Sequence, residues 1–307
     1  MKTVVFAYHN MGIVGLEALK RNGFTVEAVF SHHDDPEEKV WFASVADWAA
    51  KNAIPCHRPD SVNVPEWVDR IRKMAPDVIF SFYYRNLLKG EILRIPPAGA
   101  FNLHGSLLPA YRGRCPVNWV LVRGEKKTGV TLHHMVEKAD AGDIVGQKEV
   151  SIDPEDSAFS LFNKLCVAAG ELLDGLLPLI KEGRAPRIPQ DPEKATYFGG
   201  RRPEDGRIDW NRPVEQVYDL IRAVTEPYPG AFTFLSEGKL LIWWARPETG
   251  DFQDDGTPGR VMTEGQDVFV EAKEGRLKLV DVEVEGRRLK GRAVYDYFKE
   301  KRGVVLR

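Results

Sequence analysis

Cysteine is scarce, long apolar runs are missing and neither sign of charge dominates; each shortage narrows the possibilities. The three cysteines (Cys56, Cys115 and Cys166) form no even set and no C-x-x-C pair. That argues against a disulfide framework and a cysteine-based zinc site, and makes a reducing cytoplasm the expected compartment. No stretch approaches the roughly eighteen apolar residues of a spanning helix. The run Val4-Val5-Phe6-Ala7 is too short for a signal-peptide core. Forty-three Lys and Arg against forty-five Asp and Glu leave a net charge of −2. No basic field calls for nucleic acid, and no acidic tail calls for a basic partner. Internal repeats and low-complexity tracts are absent as well.

What remains is ordinary globular composition, 43% hydrophobic and 29% charged, over 307 residues. At roughly 150 residues per domain, that length suits one large domain and a smaller companion. Short apolar runs at Thr3–Tyr8, Val26–Ser31, Asp77–Phe82, Ala100–Leu103 and Gly129–Met135 read as strands. Helical patterns at Gly12–Arg21, Trp41–Asn52 and Val64–Met74 alternate with them. That alternation predicts an α/β fold, an open and mostly parallel Rossmann-like sheet with right-handed crossovers. A long apolar helix follows at Ser157–Lys181, then a proline- and glycine-rich stretch. Beyond it come a helix at Val214–Ala223 and five short strands between 231 and 280, punctuated by glycines, which predict a small OB-like β-barrel. The expected boundaries are 1–190 for the first domain, 191–206 for a linker and 207–307 for the second domain.

An open parallel sheet binds its ligand outside the carboxyl ends of its strands. Two polar clusters fall there. Asn102 and His104 end one strand, two residues apart and so on one face; Asp140 lies in the loop Lys138-Ala139-Asp140-Ala141-Gly142 after another. An amide donor, an imidazole and a carboxylate are the parts for acyl transfer without a covalent intermediate. The amide and imidazolium would stabilise a tetrahedral oxyanion, and the carboxylate would favour the imidazolium. Taken singly, each residue is more often a turn former or a satisfied structural group. The G-x-S-x-G elbow of a serine nucleophile is absent.

The continuation changes the balance. The string AFNLHGSLLPAYRGRCPVNW, with Asp140-Ala141-Gly142 further on, resembles the 10-formyltetrahydrofolate-dependent formyltransferases. Within that family VVFAYHNMGIVGLEAL, SFYYRNLL and YFGGRRPEDGRIDW are similar to the enzymes acting on UDP-4-amino-4-deoxy-L-arabinose in lipid A modification, here without their dehydrogenase domain. The resemblance implies that Asn102 stabilises the transition state, that His104 transfers the proton and that Asp140 favours the charged His104. It implies folate contacts from Asn86, Leu87 and Leu88, from Arg114, and from the loop Val136, Glu137, Lys138, Ala139 and Asp140. Asn86 departs from the pattern, where a histidine is more usual. Asn10, Met11 and Gly12 are the expected sugar-nucleotide contacts, joined by Arg201 and Arg202, whose guanidinium forks suit a pyrophosphate.

Gly12 and Gly15 do not complete a dinucleotide fingerprint, and the simpler reading is a tight turn and close helix packing. His32, His33, Asp34 and Asp35 are too irregular for a chelate, so no metal is expected. Two other formyl-folate activities remain as alternatives. A methionyl-tRNA formyltransferase would need a basic second domain, but from Gly200 onward nineteen Lys and Arg face twenty Asp and Glu. Its motif is also usually His-Ala-Ser where this chain has His104-Gly105-Ser106. A formyltetrahydrofolate hydrolase is expected to carry an additional N-terminal regulatory domain. A non-catalytic nucleotide-binding module would leave the three polar residues unexplained. The expected partners are a sugar nucleotide and a formyl-folate, with no nucleic acid, no metal and no membrane span.

Overall fold

The strands β1 (Lys2–Ala7), β2 (Thr25–Phe30), β3 (Cys56–His57), β4 (Val78–Phe82) and β5 (Ala100–His104) lie parallel in the order β3-β2-β1-β4-β5. Strands β1, β4 and β5 are largely buried, and β2 is buried over its last three residues, which is why they read as apolar runs. After the two-residue β6 (Arg112–Gly113), the sheet is extended antiparallel by β7 (Lys127–His134) and β8 (Ile144–Ser151). The computed structural model describes residues 1–34, 40–236, 238–250 and 256–307; Asp35 of the histidine–aspartate stretch lies outside them.

Strand order reverses between β1 and β4, the topological switch point where such sheets take ligands. Helix α1 (His9–Arg21) leaves β1 there and buries Met11, Leu16 and Leu19. Its glycines serve packing: a Cβ on Gly12 would sit 3.1 Å from Ala7, and one on Gly15 would collide with the Phe82 ring. Helix α2 (Val45–Lys51) is shorter than the expected Trp41–Asn52, because the Ser44 hydroxyl accepts the Asp47 N–H and caps it. Helices α3 (Pro65–Met74) and α4 (Gly90–Leu93) precede β4 and β5. After α5 (Pro116–Val122), the long helix α6 (Ala158–Lys181) follows β8, and β9 (Tyr197–Phe198) pairs with β6.

The first compact unit comprises Met1–Pro116, Lys127–Ser151 and Phe162–Gly199; the second comprises Val117–Lys126, Ile152–Leu161 and Gly200–Arg307. The units thus interleave along the chain, where the sequence suggests one cut near residue 190. In the second unit α7 (Val214–Val224) precedes an antiparallel sheet of β10 (Ala231–Leu235), β11 (Gly238–Thr249), β12 (Val261–Glu264), β13 (Asp267–Ala272), β14 (Gly275–Val284) and β15 (Arg287–Lys290). Helix α8 (Arg292–Phe298) comes after it. The pairing path β10-β11-β14-β13-β12 leaves two ends. The C-terminal tail laces them: Phe234 and Arg307 exchange backbone bonds of 2.9 and 3.0 Å, and Val261 N–H reaches Val304 O at 2.8 Å. Six strands replace the five expected, because the short, charged run Arg287–Lys290 carries no apolar alternation to reveal it.

Candidate active site

Register in β5 and β7 sets the site. Asn102 lies opposite His133 and His104 opposite Thr131, so four polar side chains share one face of two adjacent strands. Thr131 Oγ1 donates to Ser106 O at 2.6 Å and accepts Leu108 N–H at 3.1 Å, which ties down the loop after His104. That loop turns through Tyr111, whose left-handed φ of 59° brings its carbonyl to 2.8 Å from His104 Nε2. A carbonyl only accepts, so Nε2 carries the hydrogen and the neutral ring presents Nδ1 as its lone pair.

Asp140 faces that atom. Its Oδ1 lies 3.6 Å from His104 Nδ1 and 3.6 Å from His133 Nε2, and its Oδ2 accepts the Gly113 N–H at 2.9 Å. Burial opposes ionisation of this carboxyl, but the charge His104 gains on protonation, a hydrogen bond from His133 when its Nε2 holds a proton, and the Gly113 N–H outweigh it and hold Asp140 well below the usual carboxylate range. Asp140 has a left-handed φ of 53°. Its backbone is held by Gln190, whose amide donates to Asp140 O at 2.9 Å and to Gly142 O at 2.6 Å. Gln190 is held in turn by Arg112, which donates to its Oε1 from two nitrogens at 3.1 and 2.6 Å and to the Tyr197 hydroxyl at 2.6 Å. Arg112, from the AYRGR segment of the string AFNLHGSLLPAYRGRCPVNW, therefore braces the Asp140 loop.

The structure brings Asn102, His104 and Asp140 together and adds His133, Gln190 and Arg112. Only the cross-strand register marks His133 and only a long-range bond marks Gln190, whereas Arg112 stands in that string but its bond to Gln190 does not show there.

Two of the three segments expected to contact the folate come near one another. Glu137 Oε1 lies 3.3 Å from Arg94 and abuts Gly90, just past Asn86-Leu87-Leu88. Leu87 and Val136 stand exposed, suited to cover by an apolar ring, whereas Leu88 lies in the core with Phe6 and Phe30. Asn86 Nδ2 is 3.5 Å from Asp60 O, and the Leu87 carbonyl accepts from Asn63. Arg114 is exposed, its guanidinium 3.4 Å from Arg85 O; Lys138 lies over the Tyr197 ring, and Ala139 is half-buried.

The residues expected to hold the sugar nucleotide are placed differently. Met11 is fully buried, Gly12 packs against Ala7 and Val45, and Asn10 Oδ1 accepts the Ala43 N–H at 2.8 Å. Arg201 and Arg202 belong to the second unit, where Arg201 lies over the Trp119 ring and donates to Asp205 O. The Arg202 N–H is bound by the Asp205 carboxylate. At the switch point sits His9, with a left-handed φ of 64°, boxed by the rings of Trp41, Phe42, Tyr83 and Phe162. Its Nδ1 is buried with no hydrogen-bond partner among the described residues. Burial, helped by the Arg85 charge, pushes its pKa down to about 3. His32 Nε2 accepts the Arg85 N–H, and Asp34 accepts from the Tyr8 hydroxyl. Among the described residues no group of three His, Cys, Asp or Glu could hold a metal ion.

Several solved structures share this architecture. An N-formyltransferase from Helicobacter canadensis, in complex with folinic acid and dTDP-3-aminofucose, superposes with a TM-score of 0.66 at 18% identity, over 91% of this chain and 98% of that one. WlaRD, a sugar 3N-formyl transferase in the presence of dTDP and 5-N-formyl-THF, does so at 0.66 and 17%, over 91% and 97%. Methionyl-tRNA formyltransferase from Clostridium thermocellum gives 0.56 at 19%, over 80% and 93%. At such identities the likeness is one of fold. Sequence models go further: residues 201–296 match the formyl transferase C-terminal domain, and residues 1–174 match the formyl transferase domain itself. The latter match spans more than half of the 307 residues, and the chain belongs to the formyl transferase family.

Proposed function

We propose that the chain transfers a formyl group from 10-formyltetrahydrofolate to the amino group of a sugar nucleotide, UDP-4-amino-4-deoxy-L-arabinose being the acceptor its sequence favours. The observation that carries this reading is the convergence of Asn102, His104 and Asp140 on one strand end of a formyl transferase fold. The folate supplies the activated formyl group when bound. Asn102 has a second amide N–H beyond the one it gives His133, and it can meet the formyl oxygen as negative charge develops there. His104, its Nε2–H committed to Tyr111 O, can take a proton at Nδ1, where ionised Asp140 stabilises the resulting cation. Exposed Leu87 and Val136, with the backbone around Leu88, would receive the folate.

The sugar-nucleotide reading also draws on the near-neutral charge from Gly200 onward, which suits a small acceptor better than a polyanionic tRNA. Purified protein, 10-formyltetrahydrofolate and a panel of UDP- and dTDP-linked amino sugars provide the test. Formylation of at least one sugar, with UDP-4-amino-4-deoxy-L-arabinose turned over fastest, is the expected result. Formylation of initiator tRNA and of no sugar would overturn the reading.

A further inference from the structure

His133 lies between the catalytic groups, 2% exposed, directly across the β5–β7 ladder from Asn102. Its Nδ1 is 2.8 Å from the His134 carbonyl oxygen. That oxygen can only accept, so Nδ1 carries the hydrogen and Nε2 of the neutral ring is a lone pair. The same Nε2 lies 3.1 Å from Asn102 Nδ2, which can only donate. Both contacts select one tautomer.

We propose that His133 is a positioning residue for the transfer: its Nε2 lone pair holds the Asn102 amide in one of its two flipped orientations. A side-chain amide turned by half a revolution exchanges N–H for C=O. The turned form would set Asn102 Oδ1 against the Nε2 lone pair, and that repulsion removes it. His133 thereby fixes which edge of Asn102 meets the reacting formyl group. This inference rests on the formyl-transfer reading above.

The neighbouring charges sharpen the point. Asp140 Oδ1 is 3.6 Å from His133 Nε2 and equally far from His104 Nδ1. The titratable groups around His133 are thus Asp140 from its loop, His104 from β5 and His134 on its own strand. A proton on His104 Nδ1 points at Asp140 and leaves Asn102 in place. A proton on His133 Nε2 also serves Asp140, but it takes away the acceptor of the Asn102 N–H and forces the amide to turn. One proton has two seats, and only one of them is compatible with a correctly oriented Asn102.

Two measurements test this. Long-range ¹H–¹⁵N correlation spectra of the full chain should show His133 protonated at Nδ1 and bare at Nε2 near neutral pH. In turnover assays His133→Phe, which offers no acceptor, should lower kcat by about 10-fold or more while the KM for the formyl-folate stays within about 2-fold. His133→Gln, whose Oε1 can accept the same N–H but cannot take a proton, should recover much of that loss. A spectrum with hydrogen on Nε2, or a His133→Phe enzyme with near-wild-type kcat, overturns the proposal. Should the Phe variant fail to fold, the wild-type spectrum still decides. Should no amino sugar be formylated, the function proposed above fails, while the tautomer and the Asn102 contact stand or fall on the spectrum alone.

Discussion

The two units treat buried charge in opposite ways. In the second, buried carboxylates meet cations: Arg222 lies 2.7 Å from Asp219, Arg260 2.9 Å from Glu271, and Asp281 collects Arg288 and Lys290 at 2.7 and 3.0 Å. In the first, Arg112 is 4% exposed yet donates to the Gln190 amide and the Tyr197 hydroxyl, neither of them a carboxylate. Asp140 faces two imidazoles in place of a guanidinium. A pair that neutralises itself fixes a fold. A carboxylate that faces two imidazoles, each able to hold or release a proton, can take part in chemistry.

Breaking the structural pair is the most drastic way to test that contrast. Burial pushes the Asp219 carboxyl up even though the Arg222 guanidinium beside it pulls the other way. Arg222→Met leaves that carboxylate alone and takes donors from the Asp153 and Asp156 carbonyls. The expected cost is about 3–5 kcal/mol of stability, read by denaturant unfolding. The double variant Arg222→Met/Asp219→Leu should recover most of it. If the single variant unfolds like the wild type, the pair is not structural.

Removing the catalytic groups should have the converse effect. Asn102→Ala and His104→Ala are each expected to lower kcat by about 10²–10³, roughly 3–4 kcal/mol of transition-state stabilisation, with unfolding midpoints close to wild type. Asn102 is partly exposed, and His104, though buried, acts through polar contacts, its Nε2–H to the Tyr111 carbonyl and its Nδ1 facing Asp140. Near-wild-type turnover in either variant would remove that residue from the mechanism.

How much of this was legible in the sequence follows from what each feature depends on. Strand β4 shows itself because burial along its whole length demands a nearly unbroken apolar run, and β1 and β2 through the apolar residues of their buried C-terminal parts. Asn102 and His104 show themselves because period-two alternation puts them on one face. Strand β8 is harder: Gln147, Lys148 and Glu149 are exposed or half-exposed, and no alternation marks it. His133 looks like one of two adjacent histidines in a strand, and only the β5–β7 register links it to Asn102. Gln190 and the tail Val304–Arg307 act through bonds to residues far off in sequence. Pattern reveals what is periodic and local; pairing between distant segments has no linear signal.

Gln190→Leu probes the bracing of the catalytic loop more gently. It strips donors from the Asp140 and Gly142 carbonyls and the acceptor from buried Arg112, while Gly113 N–H still holds Asp140 Oδ2. A loss of about 1–3 kcal/mol is expected, together with a fall in kcat that exceeds any change in KM. A variant as stable and as fast as wild type would show that the Arg112–Gln190 chain does not brace the loop.

The smallest effect expected is one of pH, and it concerns His9. Its ring is buried among Trp41, Phe42, Tyr83 and Phe162, with native pKa near 3 against 6.5 for the free side chain. A base whose folded pKa is depressed binds its proton more readily in the unfolded chain. Stability is therefore full above about pH 6.5 and is lost progressively as the pH falls towards 3. Lowering the pH from 7 to 6 should cost about 0.7 kcal/mol through this residue. His32, His57 and His134, which burial also pushes down, titrate over an overlapping range, so the total slope cannot isolate it. The difference between wild type and His9→Asn can, because asparagine tolerates the left-handed backbone at that position and does not titrate. Asp140 does not intrude, since its loss of charge begins only below the ordinary carboxylate range. Denaturant unfolding at half-unit steps from pH 7.5 to 5.5 should give the variant a visibly flatter profile than the wild type. Parallel profiles would mean that the pKa of His9 in the folded protein lies close to that of the free side chain.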